Sequence, residues 1–144
     1  MNLPEYITKS EVQRVCKELG IRDWTLLTKP EVTLDEAARI QAEVGGETSE
    51  LTVEQFRQGL EVELEHGVAF PDANVTNNHP ILTGKIVLAH LKEMVDYYQR
   101  LQVAELEGDL LKATRAGNAE KVMGLYIRLL AARATLSSGE YTSP

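Results

Sequence analysis

Cysteine is almost missing from this sequence. Its single example, Cys16, excludes an internal disulfide and fits a reducing compartment. Long apolar runs are also missing. No stretch approaches the roughly 20 apolar residues of a membrane span, so no membrane partner is expected. The opening segment MNLPEYITKSEVQ has an early acid and no apolar centre, so a secretory signal is not expected and a cytoplasmic location is. Positive charge is scarce as well: 15 Lys and Arg stand against 22 Asp and Glu, a net charge of −7. Residues 1–40 hold 6 basic against 7 acidic side chains and the remainder holds 9 against 15, so no basic half is concealed in the average. Non-specific nucleic-acid binding needs a positive footprint that this chain lacks. With 144 residues, 43% hydrophobic and 26% charged, the chain can build one core without staples.

Strand signals are nearly absent, because β-branched residues are scattered and alternation never persists. Helix starts recur instead. Ser10 with Gln13, Thr33 with Glu36 and Thr52 with Gln55 have capping-box spacing, each before an apolar-periodic run. Gly20 is expected to end the first run, Gly45 and Gly46 the second, and Gly67 the third. A loop rich in Pro, Asp and Asn over 68–79 leads to Pro80, a natural first-turn residue. A long run then carries Ile86, Val87, Leu91, Met94, Tyr98, Leu101, Leu106 and Leu110 to about Ala116, and Gly117 breaks it. Asn118 caps a last helix with Val122, Leu125, Tyr126, Leu129 and Leu130 on one face.

The expected fold is therefore all-α: a helical bundle of short N-terminal helices, a helix over 53–66, a long central helix and a C-terminal helix, packing as an oligomer. Residues 1–136 are expected to form one helical domain. Within it, 33–102 is the core with a Glu/His cluster and 103–136 a helical extension for assembly. Residues 137–144 are expected to be a flexible tail.

Polar residues on apolar faces carry the functional signal. Over 53–66, Val53, Phe56, Leu60 and Leu64 define a buried stripe at helical spacing, and Glu63 falls inside it with His66 on its flank. In the long helix, His90 lies four residues after Ile86 and four before Met94, with Glu93 three further on. A buried carboxylate is costly unless paired, protonated or bound to a metal. One helix reads Glu-x-x-His and the other His-x-x-Glu, so antiparallel packing would set Glu63 level with Glu93 and His66 level with His90. The spacing is that of carboxylate-bridged di-metal bundles. The expectation is a site for a divalent transition metal, with iron, manganese and zinc all compatible with imidazole and carboxylate. Glu61, Glu65 and Asp96 are reserve ligands if the helix phase shifts by one residue, and Tyr97 could support His90 from behind. A homo-oligomer, dimer or larger, could complete the ligand set. If the metal is iron, a ferritin-like oxidase or storage role follows by analogy of spacing. The alternative is a non-catalytic interaction or assembly protein, phage-associated, cargo or scaffold, in which the cluster is a satisfied polar network and a protein partner is the ligand. A metal-dependent hydrolase is weaker, since it wants a nearby general base.

Other patterns fail on inspection. Thr83-Gly84-Lys85-Ile86 lacks the upstream glycine and following hydroxyl of a phosphate loop. Asp72, Asn74 and Thr76 begin a calcium loop, but Asn77 and Thr83 occupy the positions that need Gly and Glu. Asn74-Val75-Thr76 is a glycosylation sequon, without meaning unless the chain is secreted. Cys16 lies on an apolar face and is read as core, and His79 as a solvated loop residue.

The stretches VEQFRQGLEVELEHG at 53–67 and NVTNNHPILTGKIVLAHLKEMVDYYQRL at 74–101 resemble an uncharacterised bacterial and phage family, a domain of unknown function. Its members carry a similar ELEHG segment, an NVT–TGKI loop and helix start, and an HLxExxDYYxRL segment. Asp is typical of the family where this chain has His79. The resemblance runs from about Thr33 over roughly half the chain and implies a shared fold segment, with no activity attached.

Overall fold

The computed structural model describes residues 4–46, 48 and 51–142. Among them are six α-helices and no strand: α1 (Lys9–Leu19), α2 (Leu34–Val44), α3 (Val53–Ala69), α4 (Pro80–Glu93), α5 (Tyr97–Arg115) and α6 (Ala119–Thr142). Short 3-10 turns lie at Trp24–Leu26 and Pro71–Ala73. The chain divides into two compact units at Glu93/Met94.

Local chemistry explains most of the ends. Thr33 and Thr52 each accept from the backbone N–H three residues on, while Glu36 and Gln55 accept in return from the threonine N–H, completing both expected capping boxes. The cap of α1 lies two residues before the expected Ser10, because Thr8 accepts from Glu11 N–H. Gly20 closes α1 at φ +66°, where a side chain would be strained. Gly67 does not close α3. The helix runs on to Ala69, and Gly67 serves close packing instead.

The first unit packs α2, α3 and α4 against one another, with α1 against α4 and the turn at Trp24. Its core is Val12, Cys16, Trp24, Ile40, Phe56, Leu60, Leu64 and Val87. Cys16 is buried there, and burial pushes its thiol up. α4 faces that core through Pro80, Thr83, Gly84 and Val87 rather than through Ile86, which is exposed, and Met94 lies beyond the end of the helix. Gly84 makes this possible, since a Cβ there would stand 2.7 Å from Val44 Cγ2 and 3.0 Å from Ile40 Cγ2.

The second unit is the α5–α6 hairpin. The long central run expected over 80–116 is divided, with α4 ending at Glu93 and α5 beginning at Tyr97. Leu106, Ala113, Leu125, Leu129 and Ala132 form the hairpin's own core, with Val103, Leu110 and Val122 at its edge. Gly117, at φ +67°, makes the turn, and Asn118 accepts from Lys121 N–H to start α6. α6 continues through the segment from Ser137 to Thr142, and residues 143–144 of the expected tail lie outside the described residues. No helix among the described residues is long and apolar enough to cross a membrane.

Candidate functional site

The packing of α3 on α4 brings two of the four expected ligands together. Glu63 Oε1 and His90 Nδ1 lie 3.0 Å apart, with the side chains 12% and 29% exposed. His66 and Glu93 do not join them; both are exposed. The reason is rotational. The buried row of α3 is Phe56, Gly59, Leu60 and Leu64; Glu63 falls inside it, whereas His66 lies about a quarter-turn from its middle. The buried row of α4 places His90 at its edge and Glu93 beyond it. Among the described residues, no group of three or more His, Cys, Asp or Glu side chains is placed to hold a metal ion.

The reserve residues have other occupations. Glu61 pairs with Arg57 and accepts from the Val32 backbone N–H at 3.0 Å, tying α3 to the lead-in of α2. Glu65 is exposed. Asp96 lies in the hairpin unit and forms an ion pair with Arg100 at 2.7 Å. Tyr97 packs edge-on against Tyr98, with ring centroids 5.2 Å apart. The Glu63–His90 contact therefore joins α3 to α4. On its own it supplies two ligand side chains, one fewer than a group of three.

Two polar constructions escaped the sequence reading. The first is centred on Glu36, which is 3% exposed. Its Oε1 accepts from the Arg22 backbone N–H, Arg22 Nε and Trp24 Nε1, and its Oε2 from Arg22 Nη2, Thr33 N–H and Thr33 Oγ1. Burial pushes the carboxyl up, but the Arg22 guanidinium and the Thr33 N–H outweigh it and hold it at about 2. Half of this was legible, as the capping box; Arg22 and Trp24 arrive through tertiary structure.

The second is the asparagine loop. Asn74 donates to Gly67 O at 3.1 Å and to Asn78 Oδ1 at 2.8 Å, and Asn78 donates through Nδ2 to Trp24 O at 3.5 Å. Asn77 donates to Glu5 and to Ile7 O. Asn77 and Asn78 adopt φ +49° and +60°, a conformation that asparagine tolerates better than most residues. A Cβ on Gly67 would stand 2.1 Å from Asn78 Oδ1, so the glycine of ELEHG and the asparagines of NVTNN are one construction. A cavity of about 170 Å³, lined in part by Lys9, Thr25, Leu27 and Gly67, opens beside it. His79, expected in solvent, is 8% exposed; its Nδ1 accepts from Leu82 N–H at the start of α4, and burial lowers its pKa.

No curated protein and no solved structure gives a significant match. A family model described as a protein of unknown function (DUF5661) matches residues 12–107. The match begins well before Thr33, and takes in the Glu36 hub, the asparagine loop and the Glu63–His90 pair. The chain belongs to the DUF5661 family.

Proposed function

We propose that this protein is a non-catalytic interaction and assembly protein of the cytoplasm, with the α5–α6 hairpin as its docking element. The observation that carries this reading is that α6 is apolar on two sides. Val122, Leu125, Leu129 and Ala132 turn towards α5, while Met123, Tyr126, Ile127 and Leu130 are exposed. A helix apolar on more than one side is ordinarily covered on more than one side. In this reading Glu63–His90 is an interhelical polar link that fixes α3 against α4.

Met123 provides the test. It is 62% exposed in the single chain, so an uncovered Met123 should oxidise less than about twofold slower than in urea-unfolded protein. In freshly opened cells the reading expects oxidation at least tenfold slower. A rate within twofold of the unfolded chain refutes it.

The 3.0 Å Glu63–His90 pair favours a second reading, in which these side chains begin a site for iron, manganese or zinc that a further copy completes. Elemental analysis of chelator-free protein should then find metal, lost in Glu63→Ala and in His90→Ala with helicity kept. Metal-free protein removes it.

A further inference from the structure

The exposed side of α6 continues onto α5. Arg133 Nη2 and Glu107 Oε1 are joined across the hairpin at 2.6 Å, which marks one side of the two-helix unit. One turn along from Glu107 on the same side is Leu111, which is exposed, and one and two turns back from Arg133 are Leu130 and Tyr126. Met123 and Ile127, the latter 61% exposed, widen the row. Five large apolar side chains of the hairpin are therefore roughly half or more exposed, and the four on α6 fall within about a third of its circumference. Between Val122 and Ala132 the only charged residue is Arg128, which the helical repeat places on the far side from this row.

Two properties identify the cover. The first is area. These side chains expose on the order of 500 Å² of apolar surface, at the upper end of what a monomer leaves bare. A standard interface covers roughly 800 Å² on each side and is somewhat more than half apolar, so the row supplies the apolar share that one partner needs. The second is symmetry. Met123 and Leu130 are equidistant from the midpoint between Tyr126 and Ile127. A two-fold axis at that midpoint sets Met123 level with Leu130 of the partner subunit, and Tyr126 level with Ile127 of the partner subunit. A closed two-fold contact requires a surface that matches itself in this way.

We infer that the occupant is a second copy of this chain, and that two hairpins pair through α6, antiparallel, as a four-helix bundle. This rests on the docking reading above and names its partner. Helices paired at +20° in such bundles leave the flanks wet and the central row dry, which fits a row ended by charge at Glu120 and Arg133.

Sedimentation velocity and light scattering on the full chain test the proposal. Twice the 16.0 kDa chain mass is expected, with Ile127→Glu weakening self-association at least tenfold while circular dichroism keeps the helix signal. A second pair of variants guards against misfolding. Ile127→Cys, close to the axis, should form an intermolecular disulfide under mild oxidation, and Lys121→Cys, on the far side, should not. A monomer at all concentrations up to 100 μM or so overturns the proposal, as does equal cross-linking of the two cysteine variants. If the chain is monomeric while Met123 is protected in cells, the inference fails and the docking reading stands; if Met123 is unprotected as well, both fail.

Discussion

Replacing Glu36 by Gln removes one charge and leaves the shape of the side chain, so its effect can be worked from the structure. The carboxylate receives six hydrogen-bond approaches from Arg22, Trp24 and Thr33 and is 3% exposed. Its pKa is held at about 2, against 4.5 without the fold. At roughly 1.4 kcal/mol per pKa unit, the charged form gains about 3 kcal/mol on folding. Because the folded pKa is the lower one, this stabilisation is present above pH 4.5 and is lost as the pH falls from there towards 2. At pH 3 about 2 kcal/mol of it should be gone. Urea unfolding followed by circular dichroism, at pH 7 and pH 3, measures both quantities. Glu36→Gln should be about 3 kcal/mol less stable than the wild type at pH 7, and the gap should narrow by about 2 kcal/mol at pH 3. Glu54 is also held at about 2, mainly by its hydrogen bonds with Arg57, but it is exposed and titrates equally in both proteins. The two stability curves running parallel from pH 7 to pH 3 would refute the assignment of the hub.

Three further perturbations address the packing and the pair. Gly67→Ala should destabilise by about 2 kcal/mol in urea unfolding, because the added Cβ meets Asn78 Oδ1. If the loop did not pack there, the same change inside a helix would stabilise by about 1 kcal/mol, so the sign alone decides. In a double-mutant cycle, Glu63→Ala and His90→Ala should show a coupling of about 1 kcal/mol; additivity of the two losses would show that the pair contributes nothing. Burial depresses the pKa of His79, so the unfolded chain binds the proton first. Stability should fall as the pH drops below about 6.5 and level off below the folded pKa. His79→Gln should flatten that segment of the stability profile.

Helix starts were legible because their chemistry is local. Thr33 with Glu36 and Thr52 with Gln55 need only four residues of sequence, and both form. The phase of α4 was not legible. Its buried row contains Pro80, Thr83 and Gly84, which carry little hydrophobic signal, so the apolar rhythm selected Ile86, His90 and Met94 instead. That error of phase is why Glu93 was expected beside His90. Gly67 read as a stop because a glycine near a helix end usually is one; its actual partners, Asn74 and Asn78, are set by the loop that follows. The break between α4 and α5 contains neither Gly nor Pro and so left no local mark. In α6, five apolar residues read as one face, though their spacing separates Tyr126 and Leu130 from Leu125 and Leu129. Glu63 and His90 were singled out because both interrupt apolar rows on adjacent helices, but the expected levels were Glu63 with Glu93 and His66 with His90, and the contact that forms is Glu63 with His90.

The central claim is that the bare apolar side of α6 is where this protein meets a partner. Photo-activated cross-linkers placed singly at Ile127 and at Lys121 in the full chain, and irradiated in cells, test it most directly. The account predicts one discrete protein adduct from position 127 and none from position 121, with the adduct at twice the chain mass if the partner is a second copy. The absence of adducts from position 127, or the same adducts from both positions, would contradict it.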